Sequence, residues 1–167
     1  MLIKDLMTPR VATCFGDSSL AEAARQMWES DCGILPVVAS MGKQLMGVIT
    51  DRDIAMAAAM RGEALDRIPV RQCCSRALFT CHADDEAAVA HRLMRQHKVR
   101  RLPVVDDAQR VLGIISVDDL AFHALREEHA GNSRHDVAAT LGVICKGLDS
   151  RPCRKKKDAE SSAEAQS

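Results

Sequence analysis

The chain has 167 residues, and its 23 lysines and arginines balance its 23 aspartates and glutamates. This zero net charge excludes a broad basic surface for nucleic acid or for an anionic membrane. With one tryptophan, three phenylalanines and no tyrosine, the chain also has few side chains on which bases could stack. There is no secretory signal pattern and no apolar run of about 18 residues, so we expect a cytoplasmic protein that does not span a membrane.

The first half of the chain predicts the order strand, helix, strand, strand, helix. A short strand is expected at residues 11–13, and Ser19-Leu-Ala-Glu22 forms a capping box that starts a helix. An apolar stripe at helical spacing then predicts the buried face of that helix: Leu20, Ala23, Ala24, Met27 and Trp28. The elements that follow are two strands and a helix, at residues 34–38, 45–50 and 51–60.

The second half of the chain repeats the first. Pro103 lies 67 positions after Pro36, and Gly113 lies 66 positions after Gly47, so the register changes by one residue between two strands. The repeat predicts Asp84 as an N-cap, followed by a buried stripe, two strands and a helix: Ala87, Ala90, His91 and Met94, then residues 102–106 and 111–116, then a helix through Arg126. This period exceeds that of solenoid repeats and indicates a tandem duplication of an α/β (α+β) unit.

Three segments divide the chain. We expect repeat 1 at residues 1–64, repeat 2 at residues 65–128 and a C-terminal extension at residues 129–167. A unit of about 60 residues buries little surface alone, so we expect the repeats to share one core. In the extension we expect a short helix near residues 136–145 and then a disordered, solvated tail that is basic first and rich in serine, alanine and glutamate afterwards.

A hydroxyl residue followed three positions later by aspartate occurs where a strand meets a helix in both repeats, as Thr50-x-x-Asp53 and Ser116-x-x-Asp119. The free amides at a helix start can bind a phosphate, and a carboxylate one turn later can accept both hydroxyls of a ribose. The nearby segments from Ile34 to Pro36 and from Arg101 to Pro103 would supply backbone groups and aliphatic walls for a base. Together these features indicate an adenosine-type ligand.

A purely structural interpretation stays open beside this one. Thr-x-x-Asp and Ser-x-x-Asp are also close to ordinary capping boxes that only start helices. Arg52, Arg100 and Arg101 would neutralise phosphates in the first interpretation and would be solvated surface charges in the second.

The paired Leu-Pro-Val-Val, Gly-Val-Ile-Thr-Asp-Arg-Asp-Ile and Gly-Ile-Ile-Ser-Val-Asp-Asp-Leu segments, with Asp5-Leu-Met-Thr8, resemble a tandem cystathionine-beta-synthase (CBS) domain pair, or Bateman module, over about residues 2–127. The resemblance implies two β-α-β-β-α repeats packed about a pseudo-twofold axis, with two clefts for ligands such as AMP, ADP, ATP, NAD or S-adenosylmethionine. To the ligand-binding residues that the resemblance implies we add Pro36, Pro103 and Arg52 from the reasoning above. The complete predicted set is Thr13, Cys14, Ile34, Pro36, Thr50, Arg52, Asp53, Thr80, Cys81, Arg101, Pro103, Ser116 and Asp119. Arg100 stands where the first repeat has Gly33, which is a departure that affects the second cleft.

We therefore expect a stand-alone regulatory sensor, with an adenine nucleotide or S-adenosylmethionine as its effector and no obligatory cofactor. No catalytic arrangement of serine, cysteine, histidine and aspartate is legible, so we expect no enzyme activity. Seven cysteines lack any zinc-binding spacing, so we expect reduced thiols and no metal. We further expect a homodimer and a protein partner of unknown identity. The alternative is a ligand-free module for protein interaction or dimerisation.

Overall fold

The structure is a computed structural model that describes residues 1–40, 44–126 and 131–149. The elements in chain order are α1 (Ile3–Leu6), β1 (Thr8–Pro9), β2 (Cys14–Phe15), α2 (Leu20–Glu29), β3 (Ile34–Val38), β4 (Leu45–Thr50), α3 (Asp51–Arg61), β5 (Cys81–His82), α4 (Ala87–His97), β6 (Arg101–Val105), β7 (Val111–Ser116), α5 (Val117–Arg126) and α6 (Arg134–Asp149). The order β2-α2-β3-β4-α3 recurs as β5-α4-β6-β7-α5, which confirms two β-α-β-β-α repeats.

Each repeat has its own sheet, and the two sheets share one pattern. β2 pairs parallel with β3, and β3 pairs antiparallel with β4; β5, β6 and β7 pair in the same way. The strand β1 adds a fourth member to the second sheet, because it pairs antiparallel with β7 in a register that places Thr8 opposite Ile114. The beginning of the chain is therefore built into the sheet of repeat 2.

Within the described part of the chain, the buried hydrophobic side chains form two clusters, so the expectation of one shared core is wrong. Ile3 and Leu6 are buried in the cluster of repeat 2, although they precede the first strand of repeat 1 in the sequence. Ile68 and Val70 are buried in the cluster of repeat 1, although they follow its last helix. Each repeat covers its apolar surface with a segment from elsewhere in the chain, and this is how a unit of about 60 residues gains enough buried area.

The first helix of repeat 1 follows its predicted apolar stripe only in part, whereas the first helix of repeat 2 follows it at every predicted position. Ser19 caps α2 as predicted, and its amide donates to the Glu22 carboxylate over 2.9 Å. Leu20, Ala23 and Met27 are buried, but Trp28 at the end of the stripe is 87% exposed, so its predicted burial is wrong. In α4 all four predicted positions are buried.

One predicted boundary in the N-terminal half of each repeat is also wrong. The first strand lies at Cys14–Phe15 rather than at residues 11–13. Glu86, not Asp84, occupies the N-cap of α4, and it makes no side-chain capping bond. Asp84 instead forms an ion pair with Lys4 at 2.7 Å, so it helps to attach the N-terminal segment to repeat 2.

The helix predicted in the extension is confirmed and is longer than expected. It forms α6, which begins after a capping box between Ser133 and Asp136 and packs on α4 and α5. Val137 and Ile144 of α6 are buried in the cluster of repeat 2. The expected disordered tail lies outside the described residues. None of the helices described is long and apolar enough to cross a membrane.

Candidate functional site

The turn from β4 into α3 places a hydroxyl and a carboxylate side by side. The Thr50 amide and hydroxyl both donate to Asp53 Oδ2, over 2.9 and 2.7 Å, and the Asp53 amide donates back to Thr50 Oγ1 over 3.2 Å. Both side chains are partly exposed. Thr50 has an extended backbone and starts the helix, as an N-cap residue does.

The turn from β7 into α5 has the same geometry. The Ser116 amide and hydroxyl donate to Asp119 Oδ2 over 2.8 and 2.5 Å, and the Asp119 amide donates to Ser116 Oγ over 3.0 Å. The second carboxylate oxygen, Asp119 Oδ1, accepts from the hydroxyl of Thr8 over 3.5 Å. The capping role is therefore real in both repeats.

Capping does not use up either carboxylate. A carboxylate has about four acceptor positions on its two oxygens, and capping occupies Oδ2 in both repeats. Within the described ranges, Asp53 Oδ1 accepts no hydrogen bond. A third box of this kind joins Ser133 and Asp136 at the start of α6, where the Ser133 hydroxyl donates to Asp136 Oδ2 over 2.8 Å. This third box is not among the residues that line the two clefts described next.

The first cleft, of about 330 Å³, lies at the Thr50-Asp53 turn. Two arginines that precede or begin β6 contribute positive charge, and apolar side chains from both repeats and from the segment between them form its walls. Its lining residues are Ile34, Val48, Thr50, Asp53, Ser75, Ala77, Leu78, Phe79, Val99, Arg100, Arg101 and Pro103. The Phe79 ring stacks on the His97 ring with centroids 3.6 Å apart, which fixes one aromatic face at the cleft.

The second cleft, of about 640 Å³, lies at the Ser116-Asp119 turn. Most of its lining residues occupy the positions that are equivalent to those of the first cleft under the 66- or 67-residue shift: Thr8, Pro9, Arg10, Val11, Ala12, Ser30, Asp31, Cys32, Gly33, Ile34, Arg101, Ile114, Ser116 and Asp119. Two differences stand out. Ala12 replaces Phe79, and the pair Gly33 and Ile34 replaces Arg100 and Arg101, so the second cleft is wider and less positive.

The structure brings seven of the thirteen predicted site residues to these clefts: Ile34, Thr50, Asp53, Arg101, Pro103, Ser116 and Asp119. Ile34 and Arg101 line both. The other six are described residues that line neither cleft: Thr13, Cys14, Pro36, Arg52, Thr80 and Cys81. Arg52 is exposed one residue before Asp53, and Pro36 is buried in β3.

The two equivalent cysteines are core residues. Cys14 and Cys81 are 4% and 1% exposed. Burial raises the pKa of the Cys14 thiol to about 11 and that of the Cys81 thiol to about 12. Burial and a raised pKa both disfavour the reactive thiolate form at neutral pH. Among the described residues, no group of three or more histidines, cysteines or carboxylates could hold a metal ion.

The thirteen predicted site residues do not include those that the connecting segments contribute. Phe79, Ala77 and Leu78 come from the segment before β5, and Thr8 and Arg10 come from the N-terminal strand and its end. The prediction was wrong by one position, because Thr80 and Thr13 were expected to bind the ligand and their immediate neighbours Phe79 and Ala12 line the clefts.

A profile of the CBS domain matches residues 3–60 and 70–126. The chain is 35% identical over 136 residues to the CBS domain-containing protein YhcV of Bacillus subtilis, and the match covers 81% of this chain and 94% of YhcV. It is 38% identical over 120 residues to a homoserine O-acetyltransferase of Methanosphaerula palustris, a match that covers 72% of this chain but 23% of that enzyme.

Two solved structures have the same fold. The CBS domain pair of protein MJ0100, crystallised with 5′-methylthioadenosine and S-adenosyl-L-methionine, superposes with a TM-score of 0.68 at 27% identity, and covers 76% of this chain and 98% of that one. Hypoxic Response Protein I, crystallised with two coordinated zinc ions, gives a TM-score of 0.67 at 28% identity, and covers 74% of this chain and 98% of that one.

Proposed function

This chain belongs to the CBS domain family, and we propose that it is a regulatory module that binds an adenosine-containing ligand in the clefts between its two repeats. One observation carries the proposal: each hydroxyl-aspartate turn lies at a cleft that has apolar walls and at least one guanidinium group. The cleft volumes of about 330 and 640 Å³ are in the range of small-molecule sites. The adenosyl ligands in the MJ0100 complex support this assignment.

In the first cleft, Asp53 would accept the ribose hydroxyls through Oδ1 while Oδ2 continues to cap α3. The base would lie among Ile34, Pro103 and the Phe79 ring, because a flat heterocycle gains from apolar and aromatic contact on its faces. The guanidinium of Arg101 would neutralise phosphate charge. Cys14, Cys81, Thr13 and Thr80 have no direct part in this arrangement.

The charges of the clefts favour different ligands. Arg100 and Arg101 outnumber Asp53 in the first cleft, so we assign to it the phosphate-bearing ligands AMP, ADP, ATP and NAD. In the second cleft two arginines are balanced by Asp31 and Asp119, so we assign to it a ligand with less negative charge, such as S-adenosylmethionine. In both cases the ligand would contact both repeats. It would therefore stabilise the arrangement of the two repeats in which its contacts with them are more favourable.

The response to the ligand would be transmitted by contact with another protein chain rather than by catalysis, and we place this activity in the cytoplasm. Several large apolar side chains on α3 and α5 are exposed and are suited to a homodimer contact: Met56, Met60, Phe122 and Leu125. The same exposure favours the second candidate function, a ligand-free dimerisation module. Binding of an adenosyl ligand distinguishes the two.

The test is isothermal titration calorimetry of the purified chain with AMP, ADP, ATP, NAD and S-adenosylmethionine, supported by thermal melting. A ligand at about 100 times its dissociation constant should stabilise the fold by about 2.7 kcal/mol. Asp53→Asn and Asp119→Asn each keep an oxygen that can cap the helix but remove the charge from one cleft. Loss of charge-assisted hydrogen bonds should weaken binding in that cleft by about 10- to 100-fold.

Asp136→Asn is the matched control, because it makes the same change in the third capping box. It should leave ligand affinity unchanged. If no compound binds the wild-type chain, or if Asp136→Asn weakens binding as much as Asp53→Asn and Asp119→Asn, the turns are helix caps alone. The ligand-free dimerisation module would then be the better description.

A further inference from the structure

A groove of about 510 Å³ lies between α2 and α3, on the helical side of repeat 1. Its apolar lining includes Ala24, Met27, Trp28, Ile54, Ala55 and Ala58. Trp28 is the single tryptophan of the chain and is 87% exposed there. A large aromatic side chain left in water beside an apolar groove is a typical feature of a protein-docking surface.

Repeat 2 has the equivalent surface, and α6 covers it. The 66-residue shift relates Ala58 to Ala124 and Ile54 to Leu120, and the 67-residue shift relates Ala24 to His91. Ala124 is 1% exposed under α6, whereas Ala58 in the open groove is exposed. These equivalent alanines differ in exposure because α6 packs on α4 and α5 of repeat 2. The internal symmetry thus shows what kind of element this groove accommodates.

The face that α6 presents to repeat 2 defines the chemistry of such an occupant. Val137, Thr140 and Ile144 are buried at positions i, i+3 and i+7, which is one stripe of a helix. Thr140 is the polar member of the stripe, and its Oγ1 lies 2.8 Å from His91 Nδ1. An occupant of the repeat 1 groove would meet Ala24 in place of His91, so it needs an aliphatic residue where α6 has Thr140.

The charges at the groove also differ from those of repeat 2. Asp31 and Asp51 line the open groove and are exposed, whereas the equivalent residues of repeat 2 are Lys98 and Val117. We propose that this groove docks an amphipathic helix of a partner protein, with branched aliphatic residues at i, i+3 and i+7 and a lysine or arginine beside that stripe.

Two other occupants fit less well. The chain's own residues 150–167 contain no leucine, isoleucine, valine, methionine or aromatic residue, so they cannot supply an apolar stripe. A second copy that met this groove with its own groove would bring two acidic surfaces together, and like charges at an interface disfavour association.

The probe for the test is a synthetic peptide of residues 132–146 that carries Thr140→Leu, with Cys145→Ser to prevent oxidation. It is titrated into the full-length chain, in which α6 already covers repeat 2, and the emission of Trp28 is recorded. Isolated helices of about 15 residues are marginally stable, so the titration extends to about 1 mM peptide. Burial of the indole should shift its emission to shorter wavelength with saturation. The peptide that retains Thr140 should bind about tenfold more weakly, because its hydroxyl has no partner beside Ala24.

Matched variants locate the binding. Ala58→Arg fills the groove and should weaken binding by about tenfold or more, whereas Ala59→Arg, one residue along the same helix and outside the groove lining, should not. Asp31→Lys introduces the residue that repeat 2 carries at Lys98 in the same left-handed backbone conformation, with φ of 48° and 53°. It should weaken binding of a peptide that carries additional lysines and should remove the salt dependence of that binding.

Three results would overturn the proposal. The first is an absence of any saturable change in Trp28 emission. The second is equal binding by the Ala58→Arg and Ala59→Arg chains. The third is an emission shift that rises with the concentration of the chain alone, together with a doubled mass in light scattering that Ala58→Arg abolishes. That result would assign the groove to a second copy. None of these measurements depends on ligand binding in the clefts.

Discussion

Replacing Ile3 with alanine should destabilise repeat 2, and replacing Ile68 with alanine should destabilise repeat 1. In each case the affected repeat is not the one to which the sequence assigns the residue. By the predicted bounds Ile3 belongs to repeat 1 but is buried in the cluster of repeat 2, and Ile68 belongs to repeat 2 but is buried in the cluster of repeat 1. Both side chains are 0% exposed. The two substitutions therefore form a crossed pair with the same chemistry.

Each substitution removes a fully buried side chain and leaves a cavity. Changes of this kind cost about 2 to 5 kcal/mol, which corresponds to a fall in melting temperature of about 5 to 15 °C for a chain of this size. Ile3→Val and Ile68→Val are the conservative controls, and each should cost about 0.5 to 1.5 kcal/mol.

Hydrogen exchange measured by mass spectrometry locates the effect, because local opening reports the stability of each unit separately. Ile3→Ala should lower protection in β6 and β7, and Ile68→Ala should lower it in β3 and β4. If Ile3→Ala lowered protection in β3 and β4 instead, the exchange of segments would be wrong. Equal loss in both sheets would show that the two clusters open as one core.

Three further predictions concern the core and its thiols. Burial lowers the pKa of His91 below its ordinary value of 6.5, so the unfolded chain takes up the proton first as the pH falls. The free energy of unfolding should therefore decrease as the pH drops below about 6.5. Between about pH 7.5 and 5, the melting temperature of His91→Gln should fall less than that of the wild-type chain. Cys14 and Cys81 should react with a thiol reagent at pH 8 about 100-fold or more slowly than exposed Cys145, until denaturant is added. Gly113→Ala should cost about 1 to 3 kcal/mol in urea unfolding, because the new methyl group would collide with the backbone of β1.

The sequence predicts the local elements well and their assembly less well. Strands β4 and β7 begin and end at the predicted residues, because each is an apolar run with a glycine at the same place, bounded by a hydroxyl residue that starts a helix. The placement of β1 has no such signal. It has two residues, Thr8 and Pro9, and its partner β7 lies more than 100 positions away. Trp28 belongs to an apolar stripe, but a stripe does not reveal whether another element covers it.

The same distinction applies to the candidate site. The pairs Thr50 with Asp53 and Ser116 with Asp119 could be predicted because a capping box joins residues three positions apart. The sequence left Phe79 open between a cleft and the core, because its position depends on the path of the segment that connects the repeats. The family resemblance selected its neighbour Thr80, which lies just before the short strand β5.

The loop between α2 and β3 joins the two surfaces proposed for this chain. Asp31, Cys32 and Gly33 line both the second cleft and the groove that is open on repeat 1. A ligand beside Asp119 and a helix beside Ala58 would therefore contact the same three residues from two sides. If the ligand changes the position of this loop, it changes the affinity of the groove, and the helix must then change the affinity of the ligand by the same factor. Regulation through this loop would not require the two hydrophobic clusters to move, because the loop itself would contact both the ligand and the partner helix.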